Sequence, residues 1–279
     1  FIIFQKRVAM ISYLLRTIEK KLTYISACKV RNIAQKVSGR NTRFGYDKAS
    51  ELFFATDMGI NRYFGERERG FALYTRGFKY RSEQLIKSYC IENISIETGD
   101  TVVDCGANFG DLELCYKVID KKINYIGFEP GPREFSALQK NIKSQNLYNL
   151  GLGDKDEKMY FYLQSASADS SFIEPLEYTE KLEVDVVTLD NVMIEKSFPK
   201  YIKLFKLEAE GYEPEILEGA TNFIKRCRYI AIDGGPERGI KSEETFSFQA
   251  QFLIEHGFKL ISLNFDRGAG LFINKNIDQ

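Results

Sequence analysis

The sequence predicts an α/β fold: a mostly parallel sheet covered by helices on both faces, with an antiparallel last strand and a helical segment ahead of it. Three observations predict it. From about residue 100 onward, short β-rich runs alternate with helical stretches. The first run, TVVDCG, meets a glycine turn that opens a helix. The last two runs, FKLISLNF and GAGLFINK, lie so close together that a hairpin joins them, which makes the final strand antiparallel.

The first element is helical. Phe4, Val8, Ile11, Leu15, Ile18, Leu22 and Ile25 recur at alternating spacings of four and three, a seam of period 3.5. Lys6, Arg7, Arg16, Lys20 and Lys21 lie off the seam. Three readings stand: a helix packed on its own domain or on a second copy, a basic helix on an anionic membrane surface, and a linker helix. Turn formers in SGRNTRFGYD end the segment. We place it at residues 1–45, an aromatic- and Arg-rich cap or connecting region without a clean period at 46–80, and the sheet-bearing domain at 81–279. Ser82 is the expected N-cap of the helix that follows the cap region.

The sheet then builds strand by strand. TVVDCG leads to helix DLELCYKVI, NYIGFEP to helix PREFSALQKNIKS, and YNLGLGD forms a third strand. KMYFYL and KLEVDVVTL read as added strands. YIKLFKLEAEG and RYIAIDGG are apolar strands with helices after them.

Charge and cysteine content limit the function. The 279 residues carry 39 Lys+Arg and 39 Asp+Glu, a formal charge of zero. That zero sums two opposed pieces: residues 1–50 are net +9 and residues 51–279 net −9. The acidic body disfavours a nucleic-acid partner. Five cysteines without a CxxC pair exclude a thiolate zinc pattern and point to a reducing, cytoplasmic compartment. No apolar run reaches the ~18 residues of a membrane span. The order of apolar patch and charge at the start is not that of a secretory signal, and Phe1 in place of Met reads as a piece of a larger polypeptide.

The chemistry concentrates at successive strand ends. In VVDCGANFGD, Asp104 ends an apolar strand, and Gly106 and Gly110 flank the turn into the next helix. The spacing is DxGxNxG, so the GxGxxG dinucleotide fingerprint is absent, and an acid at the turn suits a cationic or amine-bearing ligand better than a pyrophosphate. Glu129 ends the next strand, where a carboxylate can accept both hydroxyls of a ribose. Asp154 follows the third strand, within reach of an adenine amine. Each alone has a plainer reading as cap, solvated strand end or turn; their succession favours the ligand.

These segments, with VDVVTLD and KLEAEGYEPEILEGA, resemble the FkbM family of S-adenosylmethionine-dependent methyltransferases over roughly residues 80–275. Glu208 stands where that family usually has Asp, and Ala209 where a larger apolar residue is common. The resemblance implies a class I methyltransferase fold, a Rossmann-like sheet of seven strands, with S-adenosylmethionine as cofactor. It also implies O-methylation, often of sugar hydroxyls. By position, Asp104, Gly106, Asn108 and Gly110 would surround the methionine part of the cofactor, Glu129 the ribose and Asp154 the adenine. Arg81 would pair with the methionine carboxylate.

Methyl transfer to a hydroxyl needs alignment and a base or a metal that lowers the hydroxyl pKa. Glu208, Glu210 and Asp233 are the candidate bases; Glu208 and Glu210, two apart, would share one face of a strand. Glu210 has a second reading, ordering the next helix N-terminus. Tyr212, Glu237 and Arg238 are the candidate acceptor contacts. A divalent metal is an option that the acids leave open, although no multi-histidine site can form. His256, the only histidine, reads as a helix C-terminal residue. The expected acceptor is a sugar, glycan or related small molecule. The setting that fits the charges is surface polysaccharide assembly at the inner face of a membrane, with membrane contact or self-association through residues 4–25. A nicotinamide-dependent oxidoreductase and a noncatalytic interaction module are the alternatives.

Overall fold

The structure, a computed structural model, describes residues 14, 15, 17–164 and 170–277. Seven strands form the central sheet: β4 (Thr101–Cys105), β5 (Asn124–Phe128), β6 (Leu147–Tyr148), β10 (Ile202–Leu207), β11 (Cys227–Asp233), β12 (Phe258–Asn264) and β13 (Ala269–Asn274). Their order is β12-β13-β11-β10-β4-β5-β6. β13 lies antiparallel to both its neighbours, and the other pairings are parallel. The expected seven-stranded sheet with its antiparallel last strand is therefore present. Every residue of β4 is buried, because helices cover both faces of the sheet. Alternation along β4 sends Val103 and Cys105 into one core and Val102 into the other.

The third strand differs from expectation. YNLGLGD is not one strand but two pieces in different sheets. β6 ends at Tyr148, and β7 (Gly151–Leu152) joins a smaller sheet with β9 (Glu180–Val187) and β8 (Glu157–Leu163). The break is tied down by Asn149, whose side chain donates to the carbonyls of Glu129 at 2.8 Å and Pro130 at 3.0 Å.

The amino-terminal third has its own sheet. β1 (Arg43–Asp47), β2 (Leu52–Asp57) and β3 (Ile60–Phe64) form an antiparallel meander. Met58 and Gly59, both at positive φ, make the two-residue hairpin turn between β2 and β3. Helices α1 (Tyr24–Val37), α2 (Arg67–Tyr74) and α3 (Phe78–Ser88) pack around it. The aromatic residues with no period are its core: Phe44, Phe53, Phe64, Phe71, Tyr74 and Phe78 are all buried. That core also takes in Phe109, Leu114 and Ala137 of the α/β body.

The segment boundaries expected at 45/46 and 80/81 therefore cut through elements, β1 and α3, and the three segments share a core. Ser82 does not cap a helix. α3 starts at Phe78, whose amide donates to the Asp57 carboxylate at 2.8 Å, and Ser82 is buried within it. The seam is not one continuous helix either. Its positions 4, 8 and 11, like Lys6, Arg7 and Arg16, lie outside the described residues. Residues 20–22 form a turn and bend; Leu22 within it packs on the meander core, while Ile18 before it and Ile25 after it face outward. All five cysteines are buried and unpaired with one another. Among the described residues no helix is long and apolar enough to cross a membrane.

Candidate active site

The carboxyl ends of β4, β5 and β10 surround a cavity of about 240 Å³. Gly106 makes its floor possible. It sits at φ +68°, and a Cβ there would lie 2.1 Å from the Glu208 carbonyl oxygen, so only glycine lets the ends of β4 and β10 come this close. Asn108 follows at φ +48° and lines the cavity. Its Oδ1 is a buried oxygen without a hydrogen-bond partner among the described atoms. Gly110 does not line the cavity. At φ +83° it packs its α-carbon against Ile142, Leu138 and Arg62, so its role is to turn the chain into α4 (Asp111–Lys117).

Asp104 and Lys206 form the buried centre. The Lys206 ammonium donates to the Asp104 carboxylate at 3.0 Å and to the carbonyls of Cys105 at 3.1 Å and Gly106 at 3.2 Å. It also pairs with Glu208 at 2.9 Å. The Tyr125 hydroxyl donates to Asp104 at 2.6 Å. Burial alone would lower the Lys206 pKa; Asp104 and then Glu208 reverse this, and it stays cationic.

Glu129, at the end of β5, accepts the Asn108 amide and the Gly131 amide, each at 2.8 Å. Burial, then the neighbouring Glu134, raises its carboxyl to about 8 despite these donors. The wall beyond it is apolar and includes Phe128, Leu150, Leu152 and Phe161. Asp154 is not in this wall. It is exposed, two residues beyond β7, because the chain has already left the central sheet. The adenine contact expected of it does not fit that position; Leu150, Gly151 and Leu152 line the cavity instead.

A second network enters from the amino-terminal unit. Arg81 lines the cavity, but its Nε is committed to Asp111 at 2.7 Å. Asp111 also accepts the Tyr74 hydroxyl at 2.6 Å. Arg62, fully buried, lies 3.5 Å from Asp111, pairs with Glu113 at 3.2 Å and donates to the Gly110 carbonyl. Burial would raise the Asp111 carboxyl, but Arg81 and Arg62 bring it below its ordinary value. Arg69 and Glu134 add further polar side chains to the cavity wall.

The acids at the ends of β10 and β11 are gathered by Arg267, from the turn between β12 and β13. Its guanidinium donates to Asp233 at 2.6 Å, Glu208 at 2.5 Å and the Tyr89 hydroxyl at 3.0 Å. Burial opposes ionisation of Glu208, yet Lys206 and then Arg267 hold it down to about 2. Burial, then Glu208, raises Asp233 against the pull of Arg267. Glu208 and Glu210 do not share a strand face. β10 ends at Leu207, and Glu210 sits in the left-handed region at φ +49°. Both still line the cavity. The acid that orders this loop is Glu213, which accepts the amides of Ala209 at 2.7 Å and Gly211 at 3.2 Å and the Thr245 hydroxyl at 3.1 Å.

Two expected acceptor contacts, Tyr212 and Arg238, are committed elsewhere. Tyr212 is buried against Phe172, and its hydroxyl meets the Met159 sulfur at 3.3 Å. Arg238 is spent on Glu215, at 2.6 and 3.0 Å, and on the Gly211 carbonyl at 2.6 Å. Glu237, on the turn after β11, does not line the cavity wall but stands beside the Asp233, Glu208 and Arg267 cluster; burial, then Asp233, raises its carboxyl to about 7. His256 caps its helix as expected, with Nδ1 2.8 Å from the Phe252 carbonyl. Among the described residues, no group of three or more His, Cys, Asp or Glu side chains is placed to hold a metal ion.

This donor set fits a cationic adenosyl ligand. Glu129 keeps lone pairs for two hydroxyls, the apolar wall suits a base, and the unpaired Asn108 Oδ1 and the acids near Gly106 suit a positively charged group. The comparisons with known proteins agree. The family described as the methyltransferase FkbM domain matches residues 104–260. Methyltransferase 1 of Beauveria bassiana is 27% identical over 142 residues, 42% of this chain and 57% of that protein. Hexuronic acid methyltransferase AglP of Haloferax volcanii is 25% identical over 163 residues, 55% of this chain and 62% of that protein. The chain thus spans about three fifths of the length of each of these relatives. Among solved structures, magnesium protoporphyrin IX methyltransferase (ChlM) from Synechocystis PCC 6803 with bound SAM is similar at a TM-score of 0.41 and 11% identity, over 76% of this chain and 86% of that one. The cofactor of this domain is S-adenosylmethionine. The family match runs from the end of the first strand of the sheet into β12, over more than half of the sequence, and the chain belongs to the FkbM family of methyltransferases.

Proposed function

We propose that the protein methylates a hydroxyl group of a carbohydrate, a sugar or glycan of the class that includes hexuronic acids. The observation that carries the reading is the pair Glu208 and Asp233, both held by Arg267: Glu208 and Arg267 line the cofactor cavity, and Asp233 lies buried directly behind the guanidinium. The relative named for hexuronic acid methylation supports the acceptor class.

S-adenosylmethionine supplies an electrophilic methyl group as a sulfonium. Glu129 takes the ribose hydroxyls, and Asn108 and Gly106 shape the space for the methionine part. Arg81 has its remaining guanidinium nitrogens for the methionine carboxylate while its Nε holds Asp111. At the acceptor end, Asp233 takes the hydroxyl proton. Arg267 keeps that carboxylate oriented and favours its ionised form. Glu208, held ionised, balances Lys206 and Arg267 and gives the acceptor hydroxyls a fixed hydrogen-bond acceptor. Glu210 borders the same space.

The test is methyl transfer from S-adenosylmethionine carrying a labelled methyl group to a panel of sugar nucleotides, uronic acids and glycans. Label in an alkali-stable methyl ether is the expected result. Label in a base-labile ester, or in an amine, would refute hydroxyl transfer. Calorimetric binding of a nicotinamide dinucleotide in place of S-adenosylmethionine would favour an oxidoreductase. Cofactor binding with no transfer to any acceptor would favour a noncatalytic module.

A further inference from the structure

We propose that the outward face of α1, with the turn before it, is a docking surface for an anionic lipid bilayer. The inference stands on the amino-terminal unit alone and does not depend on the acceptor.

α1 uses one face completely for packing. Ala27, Cys28, Arg31, Ala34 and Gln35 are buried. Arg31 pairs with Glu19 at 2.7 Å, and Gln35 donates to the Thr75 carbonyl at 2.9 Å. Asn32 exchanges two hydrogen bonds with the backbone of Phe44, at 2.7 and 2.8 Å. The opposite face is therefore held outward by the fold.

That face is not the polar surface of an ordinary peripheral helix. Ile25, Ile33 and Val37 are 40%, 53% and 37% exposed, and Leu14 and Ile18 just ahead are 53% and 52% exposed. Between and beside them lie the exposed Lys20, Lys21, Lys29, Lys36 and Arg43. Among the described residues from 14 to 46 the only acid is Glu19, which is buried in its pair with Arg31. Aliphatic side chains contribute nothing to a phosphate backbone, which disfavours a nucleic acid. Lysines set among the aliphatics disfavour a protein interface, where lysine is depleted. Both features together fit the boundary between headgroups and acyl chains: the aliphatic tips enter it while the lysine stems snorkel to anionic headgroups.

The test is co-sedimentation of the full chain with phosphatidylcholine vesicles that contain or lack one quarter phosphatidylglycerol. Binding to the anionic vesicles at 0.1 M NaCl, and none to the neutral ones, is expected. Lys29→Gln with Lys36→Gln should weaken it roughly thirtyfold, from about 1 kcal/mol per basic residue at such a surface. Ile25→Ser with Ile33→Ser should weaken it as well. Circular dichroism and S-adenosylmethionine affinity of both variants should equal wild type, which separates lost docking from lost folding. Three results would overturn the proposal. These are equal sedimentation with both vesicle types, affinity unchanged in both double variants, or a dimer in sedimentation velocity that Ile33→Ser dissolves while vesicle binding is absent.

Discussion

Glu129→Gln probes the cofactor half of the site most directly. In the free protein the carboxyl accepts two backbone amides at 2.8 Å and is raised to about 8, by burial first and Glu134 second. Two ribose hydroxyls donating to its ionised form would make charge-assisted bonds, each worth about 1 kcal/mol more than a neutral one. Glutamine keeps one acceptor oxygen but turns an NH₂ toward either Asn108 or Gly131. The expected loss is about 2 kcal/mol of binding, roughly thirtyfold in Kd at pH 8.

The pH dependence has a definite sign. Cofactor binding favours the ionised carboxylate, so binding releases a proton below pH 8, and wild-type affinity rises with pH up to that point. The variant lacks that titration, so its deficit shrinks toward pH 6. The same raised pKa means that the stability contributed by protonated Glu129 is fully present below about 4.5 and is lost as pH rises toward 8. Calorimetry in two buffers of different ionisation enthalpy reads the proton release. A deficit equal at pH 6 and pH 8, with no proton released by wild type, would refute the ribose assignment.

Four further outcomes are expected. Arg267→Gln leaves Asp233 less supported; the guanidinium is 37% exposed, so screening limits the effect to about 1–2 kcal/mol. The acid limb of the pH–rate profile should move up by about one unit, whereas a purely structural role predicts a lower rate with an unmoved midpoint. Gly106→Ala places a Cβ 2.1 Å from the Glu208 carbonyl oxygen at a positive φ and should cost about 3 kcal/mol in a urea titration; an unchanged midpoint would contradict the close approach of β4 and β10. Arg62→Met leaves Asp111 and Glu113 short of a fully buried partner and should destabilise by about 3–5 kcal/mol, read by thermal unfolding. Asp154→Ala, at an exposed position, should change the S-adenosylmethionine Kd by less than about twofold; a tenfold loss would restore Asp154 to the adenine end.

What was legible in the sequence was local. VVDCGANFGD encodes a buried strand, its terminal acid and a tight turn within ten residues, so Asp104, Gly106 and Asn108 could be placed on the cavity wall without the structure. Glu129 followed from the same logic one strand later. The charge centre was not legible, because its bonds span long distances in sequence. Lys206 meets Asp104 across 102 residues, and Arg267 meets Glu208 across 59. Nothing near Lys206 in YIKLFKLEAEG separates it from a surface lysine except its position inside an apolar strand, a signal that pattern reading passed over.

Asp154 was misplaced because an unbroken β-rich run hid a change of sheet at Asn149. The fault at Glu208 and Glu210 was similar: the period-two rule was applied past the end of β10. Tyr212 and Arg238 have the right chemistry for an acceptor site, but tertiary contacts commit them to Met159 and Glu215. In the meander, the strands mix buried and half-buried positions too irregularly for a period to show, although the Met58–Gly59 turn was a usable signal.

The core shared by the meander and the α/β body has a consequence for what counts as this protein's smallest self-sufficient piece. The family match begins at residue 104, yet Phe109, Leu114 and Ala137 are roofed by Phe64, Phe71 and Tyr74, and Arg62 reaches across to the backbone of Gly110. The matched region is thus smaller than the body that shares this core. A fragment trimmed to the matched region would carry the cofactor acids but lose the roof over the turn that presents them. Any chimera that borrows this catalytic body must carry the meander with it.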